Sequence, residues 1–446
     1  MHFFKEFMSY QNKDHLTGNL FKDILPYGGK LNLNNRWMKL SGLVPWDILE
    51  KIYQAYFSPL GRPAKSSRLV NGLLIAKHLK NISDVEVVEE FLENPYLQYF
   101  CGYDQLVTQQ EIHPTTLCKM RKRVGEEYFA KFEQEIIAVL KNKKIIKTSR
   151  QQIDGTVFPA NISYPTDVGL LEKARRWVVG KIKQIKETGQ ISEKIRTNSR
   201  KARQVYLSFS KKRKRTWSEI RRTKKKLIQY LGRNIKQIKG VMAQAGESIG
   251  GLKAGVAKRI EVVEQIYQQQ AQMLKNNVHR IEERIVSLHR SHIRPIVRGK
   301  SGKEVEFGPK CILSHVDGYA FLDKFDYSAY YEGDQLKNSL ELHEQRFGAK
   351  PKEVITDQIY GTRDNRDMLK KLGIEGSLMP LGRRTKLTKS EIRKIKKKQK
   401  KRGEMEGIIG NAKVKYGLER VKYANEKIGV MLGLLGMNLK TAAARI

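Results

Sequence analysis

The sequence predicts a mixed α/β chain: helices come first, then a sheet whose strands are split by a long helical insertion. Three observations carry that prediction. Apolar residues recur at helical spacing early in the chain, and β-branched runs lie on both sides of a central block. The block, 170–300, is polar, rich in Lys and Arg and mostly free of proline. The expected divisions are a helical N-terminal domain over 1–145, an α/β domain built from 146–169 and 301–424, the insertion over 170–300, and a tail over 425–446.

In the first part, Leu69, Leu73, Ala76 and Leu79 recur with helical period. Ser83 followed by Glu86 is a capping box that opens a second helix, with Val87, Val88 and Phe91 as its apolar side. Thr115 or Thr116 then caps a helix carrying Lys119, Arg121, Lys122 and Arg123 in its early turns. Short helices with a basic last member fit a helix-turn-helix DNA reader. A bundle with solvated lysines is the plainer alternative.

The segment IKTSRQQIDGTVFPANISYPTD reads as a strand leading into a loop. The insertion reads as long helices lying along DNA, with the basic blocks KKRKR (211–215) and RRTKKK (221–226) flanking Trp217 and Ile220. Val262, Val263, Ile266 and Tyr267 are expected near the start of a helix that runs through Leu274. Trp177, beside arginines, is a packing anchor rather than a base-stacking group.

Beyond it, KCILSHVDGYAFLDKFDYS is two apolar runs joined by Asp317-Gly318, a hairpin signal. A helix ends at Gly348, and Val354–Thr356 is a short strand that closes on Asp357. Helix, turn and strand follow in DNRDMLKKLGIEGSLMPLG. Residues 382–403 are a mobile or DNA-bound cationic segment, and 404–424 form a helix with Glu406.

Lys and Arg total 86 against 46 Asp and Glu, a formal net charge of +40. That excess repels itself in a compact state unless a polyanion neutralises it, and nucleic acid is the usual one. Three scattered cysteines, Cys101, Cys118 and Cys311, argue against a disulfide framework or a cysteine zinc site and fit a reducing cytoplasm. No apolar run is long enough for a membrane helix, and the first residues lack the apolar core of a secretion signal.

Three acids on separate segments stand out: Asp154 in a strand-like run, Asp357 at a strand end and Glu406 in a helix. Converging on one side of a sheet, they offer an all-oxygen set for two Mg²⁺ ions, with Mn²⁺ able to substitute. Such ions clamp the attacking and leaving oxygens of an in-line phosphoryl displacement. Lys413 lies on the Glu406 face of the helix, and Arg402 stands one turn before it. Glu404 and Glu419 are rival third acids, the first pointing elsewhere and the second too distant. Taken singly, Asp357 is a cap, Asp167 caps the next helix, Asp317 is a turn residue, and Asp323 and Asp326 face solvent.

Arg402, Glu406 and Lys413 match the last three positions of a Y-x2-R-x3-E-x6-K signature, with Gln399 at the Tyr position. With TDQIYGTRDNRDMLKKLGI through Asp357, Tyr360 and Asn365, and QIDGTVFPANISYPTDVGLLEKARR through Asp154, the chain resembles a bacterial insertion-sequence DDE transposase of the insertion sequence four/five type. LVNGLLIAKHLKNISDVEVVEEFLENPYLQYF and PTTLCKMRKRVG are similar to the N-terminal domain of the insertion sequence five type.

The resemblance implies an RNase H-like mixed sheet, here interrupted by an all-helical insertion. It implies a Mg-dependent enzyme that hydrolyses a phosphodiester at each transposon end, then uses the freed 3′-hydroxyl to attack target DNA, without a covalent protein–DNA intermediate. Asp154, Asp357 and Glu406 would be metal ligands, while Lys413, Arg402, Tyr360 and Asn365 would position DNA or support the site. Gln399 in place of Tyr would lose a phosphate or end-DNA contact. The implied partners are double-stranded DNA and further copies of the chain, as a homodimer or higher oligomer on DNA. The expected location is the nucleoid-associated cytoplasm, with no membrane. A repurposed, inactive DNA-binding protein and a nuclease without strand transfer are the alternatives.

Overall fold

The computed structural model describes residues 8–9, 27, 31–58, 60–188, 191–246, 250–300, 303–379, 381 and 388–446. The chain forms two compact units, one of 1–160 with 309–446 and the other of 161–308.

The first unit begins with β1 (Met8–Ser9), α1 (Arg36–Ser41), α2 (Trp46–Gln54), β2 (Arg62–Pro63), α3 (Ser67–Lys80), α4 (Asp84–Glu93), α5 (Pro95–Phe100) and α6 (Pro114–Asn142). The capping box forms as expected: Ser83 N donates to Glu86 at 2.6 Å, and Glu86 N donates to Ser83 Oγ at 3.1 Å. The cap of α6 differs from expectation. His113 takes that place, its ring accepting from Thr115 N, because Pro114 at the first helical position has no N–H to satisfy. Gly125, with φ +70°, kinks this helix.

The sheet starts with β3 (Arg150–Val157). After the second unit the chain continues through β6 (Lys310–Val316), β7 (Tyr319–Asp326), α11 (Leu336–Phe347), β8 (Glu353–Thr356), α12 (Arg363–Lys371), β9 (Glu375–Gly376), α13 (Lys389–Lys400), α14 (Arg402–Lys415) and α15 (Glu426–Ala443). Five strands pair in the order β7-β6-β3-β8-β9. β7, β6 and β3 run antiparallel to their neighbours in turn, whereas β3–β8 and β8–β9 are parallel. The Asp317-Gly318 turn joins β6 to β7 with φ +50° and +88°, as a two-residue hairpin loop requires.

One face of the sheet packs on the helices of the same unit. Leu313, Phe321 and Phe158 share a continuous core with Leu73, Phe91 and Phe132 from α3, α4 and α6. The other face carries Ile153, Ile312 and Val354 against Leu336 and Leu340 of α11 and Leu369 of α12.

Three expectations are corrected here. The stretch read as a less charged, helical tail is helical, as α15, but it is a core helix whose Leu434 and Leu439 are wholly buried; the low charge signalled burial. Asp323 does not face solvent: its side chain is fully enclosed, paired with Arg346 and bonded by Ser314. Of the segment read as mobile or DNA-bound, residues 389–400 are an ordered helix with its own capping box at Thr388 and Glu391, which removes only the mobile alternative, while 382–387 lie outside the described residues.

The second unit holds α7 (Asp167–Thr188), α8 (Ser199–Ser210), α9 (Trp217–Ala245), α10 (Gly250–Lys275), and the hairpin β4 (Pro295–Lys300) and β5 (Lys303–Phe307). Leu171, Val178 and Ile182 of α7 pack with Leu227, Leu231 and Ile238 of α9 and with Val263 and Ile266 of α10. Val262 to Tyr267 thus sit midway along α10, not near its start. Asp167 is an ion-pair hub, receiving Lys224 at 2.7 Å and Arg284 at 2.6 Å. Trp177 packs against this core, as a packing anchor would. Among the described residues no helix of the chain is long and apolar enough to cross a membrane.

Candidate active site

Parallel pairing of β3 with β8 sets Ile153 opposite Thr356, so Asp154 and Asp357 follow at the same level of neighbouring strands. Side chains alternate along β3, which puts Gln152, Asp154 and Thr156 on one face. α14 crosses that face. Gln152 Nε2 donates to Glu404 Oε2 at 2.6 Å, and the Lys413 ammonium lies 5.8 Å from the centre of the Phe158 ring.

Asp154 is half-buried, and its Oδ1 accepts from Gly155 N at 2.9 Å. Burial raises its pKa above the ordinary carboxylate value; Arg402 and the Gly155 N–H pull it down, and the charges of Glu332 and Asp357 push it up again. Asp357 caps the turn at Gln358–Tyr360, its Oδ1 accepting from Gln358 N at 2.6 Å, and it also takes Arg402 Nη1 at 3.2 Å. The cap reading and the site reading of Asp357 are therefore compatible, since one oxygen serves the turn while the carboxylate stays partly open.

Glu406 is solvent-exposed on α14, one turn beyond Arg402 and so about 6 Å farther along the axis. Among the described residues no three His, Cys, Asp or Glu side chains gather in a group that could hold a metal ion. The structure thus brings Asp154, Asp357 and Arg402 together, and among the described residues Glu406 does not complete a three-acid group with the two aspartates. Glu404, expected to point elsewhere, reaches β3 through Gln152.

Several residues expected to meet DNA have other partners. Tyr360 is wholly buried with an unpaired hydroxyl; burial pushes its phenol far above the ordinary value, and Glu332 and Asp154 add to the shift. A ring enclosed in the core cannot touch DNA. Asn365 Nδ2 donates to Gly333 O and Tyr360 O, both at 2.8 Å, so it clasps two loops. Arg121 is buried and bidentate to Asp84 at 3.0 and 2.6 Å. Arg123 lies over Phe57, whereas Lys119 and Lys122 are exposed on α6.

Sequence reasoning missed the role of one residue here and the presence of another. Gln399, at the signature's Tyr position, donates to Ser377 O at 2.6 Å and to Thr356 O at 3.2 Å, tying α13 to the strand end before Asp357. Its spacing from Arg402 was the available signal. Glu332 packs under Gly155, where a Cβ would meet its carboxylate, and pairs with Lys310 at 3.0 Å. No local pattern announces that contact.

A family model described as "Transposase domain (DUF772)" matches residues 26–123, and one described as "Transposase DDE domain" matches 354–428. A Rhizobium meliloti protein, "Uncharacterized protein ORF8 in nfe locus", is 34% identical over 164 residues, which is 36% of this chain and 78% of that protein. The chain belongs to the bacterial insertion-sequence DDE transposases. No solved structure matches it. The DDE match begins within β8 and takes in Asp357, Arg402, Glu406 and Lys413 of the transposase; Asp154 lies outside both matched stretches.

Proposed function

We propose that this transposase binds the terminal repeats of its element, cuts the DNA there and joins the freed 3′-hydroxyls to target DNA. The observation that carries the reading is that Asp154 and Asp357 each directly follow the last paired residues, Ile153 and Thr356, of two adjacent parallel strands, within a chain of the DDE family. The strand order, antiparallel on one side of β3 and parallel on the other, supports an RNase H-like reading of the sheet.

DDE transposases generally depend on a divalent metal. The two aspartates fit a hard cation: both are oxygen donors and both face Arg402, a cation that already occupies the place of positive charge. Asp154 and Asp357 would hold Mg²⁺, with Mn²⁺ as substitute, and Glu406 of α14 would complete the set on DNA binding. Such an ion polarises a phosphoryl oxygen and lowers the pKa of bound water.

The reaction is two displacements at phosphorus. A water oxygen bonds to phosphorus, the P–O3′ bond breaks, and the departing oxygen takes a proton to leave a free 3′-hydroxyl. That hydroxyl then attacks a target phosphodiester, whose own P–O3′ bond breaks, and its proton passes to the new leaving oxygen. Arg402 holds Asp357 in place between these events, and Lys413 supplies positive charge on the same helix. Lys119 and Lys122 on α6 would contact DNA backbone, as would the basic second unit. The reading also includes an oligomer on paired ends and a cytoplasmic, nucleoid-associated location.

The test is a nicking assay on DNA carrying the element's ends. Asp357→Asn and Asp154→Asn are each expected to lower nicking about a thousandfold or more, the scale of losing a charge-stabilising group, while end binding persists. Wild-type nicking by either variant would end this reading. Joined product from pre-cut ends separates a transposase from a simple nuclease.

A further inference from the structure

We propose that α13 is a docked cationic rail that receives DNA backbone and leads it to Asp357. The inference rests on the active-site reading above and names a surface that the reading leaves unassigned.

The helix has two unlike faces. Ile392, Ile395, Lys398 and Gln399 lie within a half-turn arc and are all half-buried. Lys398 reaches Glu353 at 3.2 Å and Glu375 at 2.6 Å, so β8 and β9 are both engaged. Gln399 adds its bonds to Ser377 O, to Thr356 O and to Ser377 Oγ, the last at 3.2 Å. These contacts lock the rotation of the helix against the sheet.

The opposite face is solvent-exposed and carries Lys389, Arg393, Lys396, Lys397 and Lys400, with Lys394 at its edge. From Lys389 to Lys400 the stripe runs about 16 Å at 1.5 Å per residue. Its last cation stands two residues before Arg402, which holds Asp357. Glu391, the acid at the start of this helix, is engaged in the cap. Free lysines on a tether would bind any polyanion loosely. Cations on a rotationally fixed helix present one line of charge, which suits a regular phosphate backbone.

The experiment uses the full chain and a fluorescein-labelled duplex of arbitrary sequence, with binding followed by anisotropy between about 50 and 200 mM salt. The triple variant Arg393→Gln, Lys397→Gln, Lys400→Gln is expected to flatten the log affinity against log salt slope by about 2 to 3. A control triple, Lys337→Gln, Lys370→Gln, Lys371→Gln, removes the same charge from exposed sites on α11 and α12 and is expected to change it by less than about 1. Equal slopes for the two triples, or an unchanged slope for the first, would overturn the rail. Gln399→Ala keeps every cation and is expected to speed amide exchange across 389–400; unchanged exchange would overturn the docking. The site reading fails separately, through nicking by Asp357→Asn, and that outcome leaves the slopes untouched.

Discussion

Among the chain's Asp–Arg pairs, Asp84–Arg121 and Asp357–Arg402 have nearly the same composition and opposite use. Asp84 opens α4 and is gripped by both Nη atoms of Arg121 and by Lys77 at 2.7 Å. Arg121 also stacks 4.6 Å from the Tyr423 ring centre. Asp357 accepts a single bond from Arg402, and its side chain keeps 43% of its surface exposed. The first carboxylate has both oxygens engaged by cations and keeps 22% of its surface exposed. The second is held loosely, on the level of another acid, with room for a further ligand. Satisfied charge makes a strut; under-satisfied charge beside a like charge makes a site.

The titration of the acids draws the same line. Burial works against the Asp84 anion, yet Arg121 and Lys77 outweigh it and hold the pKa below the ordinary value. Burial also raises Asp154, and there Arg402 does not offset it. One acid wants its charge in the folded state, and the other resists it.

The largest stability effect is expected at the strut. Arg121→Ala leaves a mostly enclosed carboxylate with Lys77 alone and removes the ring contact. It is expected to cost about 3 kcal/mol, read by chemical denaturation. The sign with pH follows. A depressed folded pKa gives stability that is present above the unfolded carboxylate value, near 4, and is lost as pH falls through the lower folded value. The variant is expected to show a shallower loss in that acid window. A change under about 1 kcal/mol would mean that the pair is no strut.

The features legible in the sequence were those written locally. The Ser83–Glu86 box, the Asp317-Gly318 turn and the strand ending at Asp357 each lie within a few residues of their cause. The acid at the end of β8 and its partner in β3 were legible as strand residues, and their adjacency required only that the two strands be neighbours. What could not be read were pairings across the chain. Arg121 looks like any arginine in a basic helix until Asp84, 37 residues away, closes on it. Asp323 looks exposed until Arg346 covers it. Tyr360 sits in a motif suggestive of DNA contact, but the chain buries its ring among Ile153, Leu336 and Leu369. The cationic run at 389–400 reads as mobile or DNA-bound, and its docking on the sheet was hidden because its anchoring partners, Glu353, Glu375 and Ser377, lie elsewhere in the sequence.

An intermediate effect, opposite in sign, is expected at the site. With no metal present, Asp154→Asn removes a charge that the fold disfavours, so the variant is expected to melt higher than wild type at neutral pH. A raised folded pKa means that the group's contribution is fully present below the unfolded value, near 4, and is lost as pH rises through the folded value. The gain in Tm should therefore shrink as pH is lowered toward 4, and thermal scans across that range measure it. Greater stability together with lost nicking is the signature of a residue kept for chemistry. A variant that melts lower than wild type at every pH would place Asp154 with Asp84 instead, among the struts.

The smallest effect is expected at Arg402. Its bond to Asp357 is single and partly solvated, so Arg402→Gln should change stability by less than about 1 kcal/mol. Its electrostatic reach is longer than its bond, because Arg402 also lowers the pKa of Asp154. Without that charge, Asp154 should hold its proton to higher pH. The pH window over which wild type loses stability would then extend upward, although total stability at neutral pH hardly moves. Comparing the stability–pH curves of Arg402→Gln and of Arg402→Gln with Asp154→Asn isolates this coupling: the extension should vanish in the double variant. If it persists there, the arginine acts on some other group, and the shared electrostatics of Asp154 and Asp357 is not what distinguishes this pair from Asp84 and Arg121.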